Sequence, residues 1–281
     1  MKVLRAPLVV FVLFSLSLAA QENVPESYLH KLATIDRLQT LSSTDLADLT
    51  SRAQSGSADA QYQLAFVYGA GQVVPRDMAA SDLWMRKSAE QGYVPAETDI
   101  GEHYFGKHTA GPVPNGADAE RWLRLAATQG DAEAQLWLGI GYDRGYFGDI
   151  DYQESLKWLR ESSDQGLPDA QLTLAQMYKD GHGVPKSDEG AACWYRRAAD
   201  HFSDISGVFG AEVELAYMYR DGRLKRNDVE AYMWFAIVGA EVNPPTDDDV
   251  KEVSKSMTEA QIAEAQQKAD VWITLHPPRP R

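Results

Sequence analysis

The feature that most constrains this chain is a unit that recurs five times, at steps of 36, 38, 36 and 41 residues. In each unit an alanine is followed at position four by leucine or isoleucine, at position five by a small residue and at position eight by tyrosine. The alanines are Ala60, Ala96, Ala134, Ala170 and Ala211, and the tyrosines are Tyr68, Tyr104, Tyr142, Tyr178 and Tyr219. A period of this length is typical of repeat proteins, whose units stack on their neighbours.

The first half of each unit predicts a helix, which we call helix A. Offsets 0, 4, 5 and 8 from the alanine fall on one side of a helix with 3.6 residues per turn, so they form an apolar stripe. The small residue at offset 5 lets a neighbouring helix approach closely. Glycine three residues after the tyrosine predicts a left-handed cap that ends helix A, at Gly71, Gly145, Gly181 and Gly222, with Gly106 one place early in the second unit.

The second half of each unit predicts helix B, which carries a tryptophan. Seven residues before it stands a side chain that can accept a hydrogen bond from the first free N–H groups of a helix, at Asp77, Asn115, Asp151, Ser187 and Asn227. One hairpin of helices A and B cannot cover its own stripe. The units are therefore predicted to stack into an all-α solenoid.

The pattern A-x-x-x-L-[AG]-x-x-Y-x-x-G, followed by A-x-x-W-x-x-x-A-A-x-x-G, resembles the Sel1-like repeat family, a relative of the tetratricopeptide repeats. The resemblance covers residues 57–240 as five copies, 57–92, 93–130, 131–166, 167–207 and 208–240. It implies an α/α solenoid of helix-turn-helix repeats, a right-handed superhelix with helical caps, and a function in binding other proteins.

The two ends of the chain differ from the repeats. Residues 1–20 combine Lys2 and Arg5 with an apolar run and a small-residue pair, which is the layout of a cleavable secretory signal and predicts export to the periplasm. The alternative, a membrane anchor, needs an apolar run of about 20 residues. Residues 21–56 are predicted as a linker and helical cap. Residues 241–281 are predicted as a solvated acidic run at 247–249, a closing helix that starts at a Thr258 capping box, and a proline-rich tail.

The composition excludes several partners. The net charge of −14 disfavours nucleic acid and an anionic bilayer, which would both repel the chain. We therefore expect no nucleic-acid partner, no membrane insertion after signal removal, and a monomer in the absence of a partner. The only cysteine, Cys193, cannot form a disulfide within the chain and is predicted as a small core residue.

No catalytic or metal-binding pattern stands out. The chain lacks H-E-x-x-H, G-x-S-x-G, a Walker loop and the S-x-x-K of penicillin-binding relatives, so a hydrolase of β-lactams or cell-wall fragments is a remote alternative. His103 and His108 are five residues apart, which is a poor spacing for two ligands on one helical face. The sequence predicts a protein that is not an enzyme and has no metal and no cofactor.

The side of helix A opposite the stripe, at offsets 2, 3, 6 and 9, is unusually apolar. We call it the A-helix face, and tetratricopeptide-like stacking would turn it toward the inner curve of the superhelix. Apolar groups interleaved with polar ones on an open face predict a surface that binds protein or peptide. The alternative is that insertions or neighbouring helices cover it. The predicted partner-binding residues are Tyr62, Phe66, Glu102, Leu136, Trp137, Ile140, Asp143, Leu172, Gln176, Lys179, Val213, Tyr217 and Arg220.

Two functions remain open beside the remote hydrolase alternative. The resemblance implies a periplasmic protein that binds and neutralises a partner enzyme, as an immunity protein does against a phospholipase toxin (a secreted lipase) delivered by type VI secretion. The alternative is a periplasmic regulator or scaffold for an envelope signalling, secretion or host-interaction complex. The insertions at residues 107–115 and 201–210 are further candidate contacts, because loops carry much of the specificity of repeat proteins.

Overall fold

The computed structural model describes residue 38 and residues 41–105, 115–200, 208–241 and 247–276. Over these residues the chain forms thirteen α-helices and no strand, which confirms the predicted all-α repeat solenoid. The helices are α1 Ser43–Gln54, α2 Ala58–Ala70, α3 Met78–Ala89, α4 Val94–Phe105, α5 Gly116–Thr128, α6 Ala132–Arg144, α7 Tyr152–Asp164, α8 Pro168–Asp180, α9 Asp188–Asp200, α10 Val208–Arg220, α11 Asp228–Glu241, α12 Asp247–Ser254 and α13 Glu259–Leu275.

The helices fall into two compact units. The first, Met1–Gln165, contains α1 and the hairpins α2–α3, α4–α5 and α6–α7. The second, Gly166–Arg281, contains the hairpins α8–α9 and α10–α11, followed by α12 and α13, which both pack on α11. In each hairpin the first helix is helix A of a repeat and the second is helix B.

The predicted helix ends are confirmed by the backbone and by the capping hydrogen bonds. Helix A ends at a glycine in the left-handed region in four repeats, with φ of 66° at Gly71, 68° at Gly145, 83° at Gly181 and 73° at Gly222. Helix B begins with a side chain that accepts from a backbone N–H one turn later. These capping residues are Asp77, Asn115, Asp151, Ser187 and Asn227.

The apolar stripe of helix A is buried as the spacing predicts. The five alanines are fully buried, and the aliphatic residues at offset 4 are at most 6% exposed. The small residue at offset 5 permits close contact: a Cβ atom added to Gly101 would lie 2.6 Å from Leu123 Cδ2 on the paired helix B. Helix A therefore packs tightly against helix B at this position of the stripe.

Equivalent polar contacts recur within the hairpins. The Ser88 hydroxyl of helix B donates to the Ala58 carbonyl at 2.7 Å, and Ser162 makes the same bond to Ala132 at 2.7 Å. Each bond joins the end of helix B to a carbonyl in the first turn of helix A. Side-chain bonds from Gln91 to Gln61, from Gln129 to Glu97 and from Gln165 to Gln135 join the same two helices.

An arginine bridges consecutive repeats within each unit. Arg86, Arg124 and Arg196 each lie two residues after the tryptophan of helix B and donate to the stripe tyrosine of the next repeat. Their guanidinium carbons lie 5.6, 5.8 and 5.7 Å from the ring centroids, within the range of a cation–π contact. The tyrosine partners are Tyr104, Tyr142 and Tyr219.

The closing helix α13 confirms the predicted capping box, in which Thr258 and Gln261 exchange hydrogen bonds with each other's backbone N–H groups. Cys193 is exposed, so the prediction of a core position is wrong. Ala191, Ala192 and Tyr195 supply the buried side of α9 instead. None of the described helices is long and apolar enough to cross a bilayer. The predicted signal peptide 1–20 and most of the insertions 107–115 and 201–210 lie outside the described residues.

The stripe predicts how stability responds to charge. Leu174 lies on α8 and is fully buried, so Leu174→Asp places an unpaired carboxylate in the core and should cost more than about 4 kcal/mol of unfolding free energy. The matched control is Leu83→Asp on α3, where the leucine is 51% exposed. Urea unfolding followed by circular dichroism compares the two, and equal losses would contradict the assignment of the stripe.

Candidate protein-interaction surface

The structure places the thirteen predicted binding residues in three environments. Three are buried, namely Tyr62, Glu102 and Leu136. Gln176 is exposed. The other nine are partly exposed: Phe66, Trp137, Ile140, Asp143, Leu172, Lys179, Val213, Tyr217 and Arg220.

The prediction that Tyr62 lies on an open face is wrong, because its side chain is fully buried. Its hydroxyl donates to Asp99 Oδ2 at 3.0 Å, and its ring packs 4.9 Å from Phe66 and 5.3 Å from Tyr93. Burial, and then the Asp99 carboxylate, raise the pKa of the Tyr62 hydroxyl. Leu136, at the same offset in its repeat, is 4% exposed. Offset 2 is therefore buried in the first three repeats, whereas Leu172 and Val213 at the same offset of the fourth and fifth repeats are partly exposed.

Glu102 is also buried, and it accepts a hydrogen bond from Trp137 Nε1 at 2.8 Å. This bond joins α4 to α6, the A helices of successive repeats. In the second unit Lys179 pairs with Glu214 at 2.7 Å and joins α8 to α10 in the same way. Several polar residues predicted to meet a partner are therefore engaged in holding A helices together.

The A-helix face of α10 is partly covered by α12. Tyr217 donates to Asp249 Oδ2 at 3.1 Å, and Arg220 Nη1 lies 2.9 Å from Asp249 Oδ1. Burial, followed by Asp249, raises the pKa of the Tyr217 hydroxyl. Asp249 was expected in a solvated run, but its side chain is 25% exposed, whereas that of the neighbouring Asp248 is 97% exposed. Helix α12 turns Asp249 toward α10.

An aromatic cluster lies at one end of the A helices of the first unit. The Phe105 ring is 5.1 Å from Trp137, 4.8 Å from Tyr146 and 5.9 Å from Phe147. Tyr146 is 52% exposed, and Ile150 in the same loop is 54% exposed. Of this cluster, only Trp137 was predicted as a binding residue. The signal that could have identified the loop is that Tyr146 and Ile150 stand at positions where the loops of the first, fourth and fifth repeats have polar residues.

Charge is divided unevenly between the two helix layers of the first unit. The A helices α2, α4 and α6 carry six carboxylates and one arginine, whereas the B helices α3, α5 and α7 carry six carboxylates and six basic residues. Glu97 is one of the six carboxylates of the A helices. Burial raises the pKa of its carboxyl, although the hydrogen bond that Gln129 donates to it acts in the opposite direction. Any partner of this layer meets a negative potential.

The described residues contain no group of three or more histidine, cysteine, aspartate or glutamate side chains that could hold a metal ion. What they present is a series of helical hairpins with a partly apolar, acidic face. This architecture defines an all-α repeat solenoid.

The family is shown by sequence comparison. The Sel1 repeat model matches residues 58–93, 95–131, 132–167, 168–201 and 210–237, which is more than half of the chain. The chain therefore belongs to the Sel1 repeat family. Sel1 repeats are in general modules that mediate contacts between proteins, and proteins built from them are generally not enzymes.

Three proteins are similar to this chain in sequence or in structure. An uncharacterized protein of Neisseria meningitidis serogroup B is 28% identical over 185 residues, 65% of this chain. A protective antigen present in uropathogenic Escherichia coli strains, which displays an SLR fold, has a TM-score of 0.68 with 28% identity over 81% of this chain. A Sel1 repeat protein from Oxalobacter formigenes has a TM-score of 0.64 with 25% identity over 79% of this chain. This chain spans 38%, 48% and 65% of those three proteins, respectively.

The burial of Tyr62 generates a stability prediction. Tyr62→Ala should cost about 3–5 kcal/mol, because it leaves a cavity between α2 and α4. Tyr62→Phe keeps the ring and should lose only about 1 kcal/mol with the bond to Asp99. Thermal unfolding measures both variants, and a Tyr62→Ala protein as stable as the wild type would contradict the buried position.

Glu97 generates a pH prediction. Its pKa is raised in the folded chain, so its carboxyl favours folding when protonated, and that contribution is lost as the pH rises from the unfolded value of 4.5 through the folded one. Gln61 and Gln135 occupy the same position in neighbouring repeats. Glu97→Gln should therefore raise the unfolding temperature at pH 7 by about 2–4 °C and have less effect at pH 4.5. The control is Glu90→Gln, at an exposed position.

Proposed function

We propose that this Sel1 repeat protein is exported to the periplasm, where it binds and inhibits a partner enzyme. The candidate enzyme is a phospholipase toxin delivered by type VI secretion, against which the chain would act as an immunity protein. The observation that supports a protein partner is the partial exposure of apolar side chains on the A-helix face of the first unit. Phe66, Trp137 and Ile140 remain partly exposed there although the stripe on the other side of each helix is already packed.

The charge of the chain supports a protein partner over the other classes. A net charge of −14, with an acidic A-helix layer, repels phosphate backbones and anionic lipid. Carboxylates beside aromatic rings suit the arginine, lysine and apolar side chains of a protein surface.

Export and inhibition rest on different supports. Export is supported by the signal-like residues 1–20. Inhibition of a lipase toxin is supported by the resemblance to Sel1-like immunity proteins, and by a sequence that offers no activated nucleophile of its own. A helical scaffold that covers an active site needs no catalytic residue.

A second candidate is a scaffold in a host-interaction or envelope complex. It is favoured by the structural similarity to the protective antigen of uropathogenic Escherichia coli. Such a scaffold would bind its partner without changing an enzymatic rate.

The first test identifies the partner and then measures inhibition. The chain from Gln21 onward, with a tag, is used to isolate stoichiometric complexes from an envelope extract, and the co-purified enzyme is assayed with and without the chain. We expect one-to-one inhibition. An enzyme whose rate stays the same in the complex would favour the scaffold, and a tagged full-length chain absent from the periplasmic fraction would contradict export.

The second test asks whether the A-helix face makes the contact. Ile140→Glu places a carboxylate on an already acidic face and should weaken inhibition by about tenfold or more. Leu125→Glu on α5, where the leucine is 44% exposed, is the control on the B-helix side. Equal inhibition by both variants would place the contact elsewhere.

A further inference from the structure

The five repeats provide an internal comparison for each loop position. The residue after the capping glycine of helix A is Gln72, His182 or Arg223 in three repeats, but Tyr146 in the third repeat. The residue before the cap of helix B is basic in the same three repeats, at Arg76, Lys186 and Arg226, but it is Ile150 in the third. Two polar positions have thus become apolar in one loop, 145–151.

The fold does not require this change. The loops of the first and fourth repeats, with polar residues at both positions, end helix A at Gly71 and Gly181 in the same left-handed conformation and begin helix B with a capping side chain. Single exposed apolar residues are common on protein surfaces. Two in one loop, at 52% and 54% exposure and at positions that are polar in the equivalent loops, favour a contact surface.

The loop is held firmly by the helices beneath it. The Phe147 ring occupies the space where a side chain at position 141 would lie, so only glycine fits there. The Tyr146 carbonyl oxygen likewise occupies the space where a Cβ atom at position 116, at the start of α5, would lie. The Tyr146 N–H donates to the Gly141 carbonyl at 2.9 Å. A fixed aromatic side chain that is half exposed loses little conformational entropy when it binds a partner.

The charge around the loop points to the chemistry of the partner. Asp149 and Asp151 are exposed in the loop, and Asp143 lies just before it with one arginine, Arg144. The basic residue that precedes the cap in other repeats is absent here. The adjoining A helices carry five further carboxylates and no further lysine or arginine. Glu97 and Glu102 are buried, so the carboxylates that remain accessible to a partner there are the partly exposed Asp59, Asp99 and Glu133.

We propose that loop 145–151, with the adjoining A-helix face of the first unit, docks a protein segment that carries arginine or lysine beside apolar side chains. This proposal rests on the protein-binding function proposed above and names the chemistry of the partner. The cation would meet the carboxylates and the Tyr146 ring, and the apolar side chains would cover Tyr146 and Ile150. A second copy of this chain would bring the same negative charge, and so would an anionic bilayer.

The test exchanges the loop residues for those of the first repeat. In the variant Tyr146→Gln/Ile150→Arg, the new side chains are those of Gln72 and Arg76 at the equivalent positions. The control Leu83→Gln/Leu125→Gln removes two exposed leucines, 51% and 44% exposed, from the B helices. Circular dichroism and thermal unfolding verify the fold. The single variant Ile150→Arg serves if the double variant is destabilised by the loss of the Tyr146–Phe105 contact.

The probe is a display library of random peptides, selected on the wild-type chain. We expect the selected peptides to be basic and apolar. A synthetic copy should lose about tenfold or more in affinity for the loop variant and about twofold or less for the control, and it should bind more weakly as salt is raised. Acidic peptides, or equal affinity for both variants, would overturn the proposal, and so would a wild-type dimer that the loop variant dissociates.

The two proposals fail separately. If the chain inhibits its partner enzyme and the loop variant inhibits it equally well, the proposed function stands and this docking surface does not. If the basic peptide binds the loop but no partner enzyme is inhibited, the surface stands and inhibition does not.

Discussion

The burial of one narrow stripe on each helix A is the interaction on which the rest of this structure depends. Alanine and glycine at the stripe bring helices A and B close enough for Ser88 and Ser162 to reach carbonyls on the paired helix. Without that contact these hydrogen bonds within each hairpin would have no fixed geometry. Because no hairpin covers its stripe alone, the stability of each repeat depends on its neighbours.

Polar side chains make a second set of contacts, between repeats. Arginine–tyrosine bridges and pairs such as Trp137–Glu102 and Lys179–Glu214 join successive repeats within each unit. These polar residues hold successive repeats together, so a polar residue on the A-helix face is poor evidence of a binding site. Departures from the repeat pattern, as in loop 145–151, are better evidence of a binding site. The other repeats form the same loop with polar residues at these positions, so the fold does not require apolar ones.

The fold could be predicted from sequence because it depends on local chemistry. Capping residues, the apolar stripe and the closing helix all follow from spacing along one helix, and the structure confirms them. The surface could not be predicted equally well. Whether Tyr62 is buried depends on the distance from α2 to α4, and the role of Asp249 depends on how α12 meets α10. Such distances between helices are not encoded in the periodicity of either helix.

In the four repeats whose A–B loop the structure describes, the loop lies between the same two features, a left-handed glycine that ends helix A and a capping side chain that begins helix B. The residues between them are therefore free to diverge without disturbing the register of the helices. Recognition in such a protein can evolve one loop at a time, while duplication of whole repeats supplies new loops. Relatives with the same architecture and unlike loops are then expected to have unlike partners.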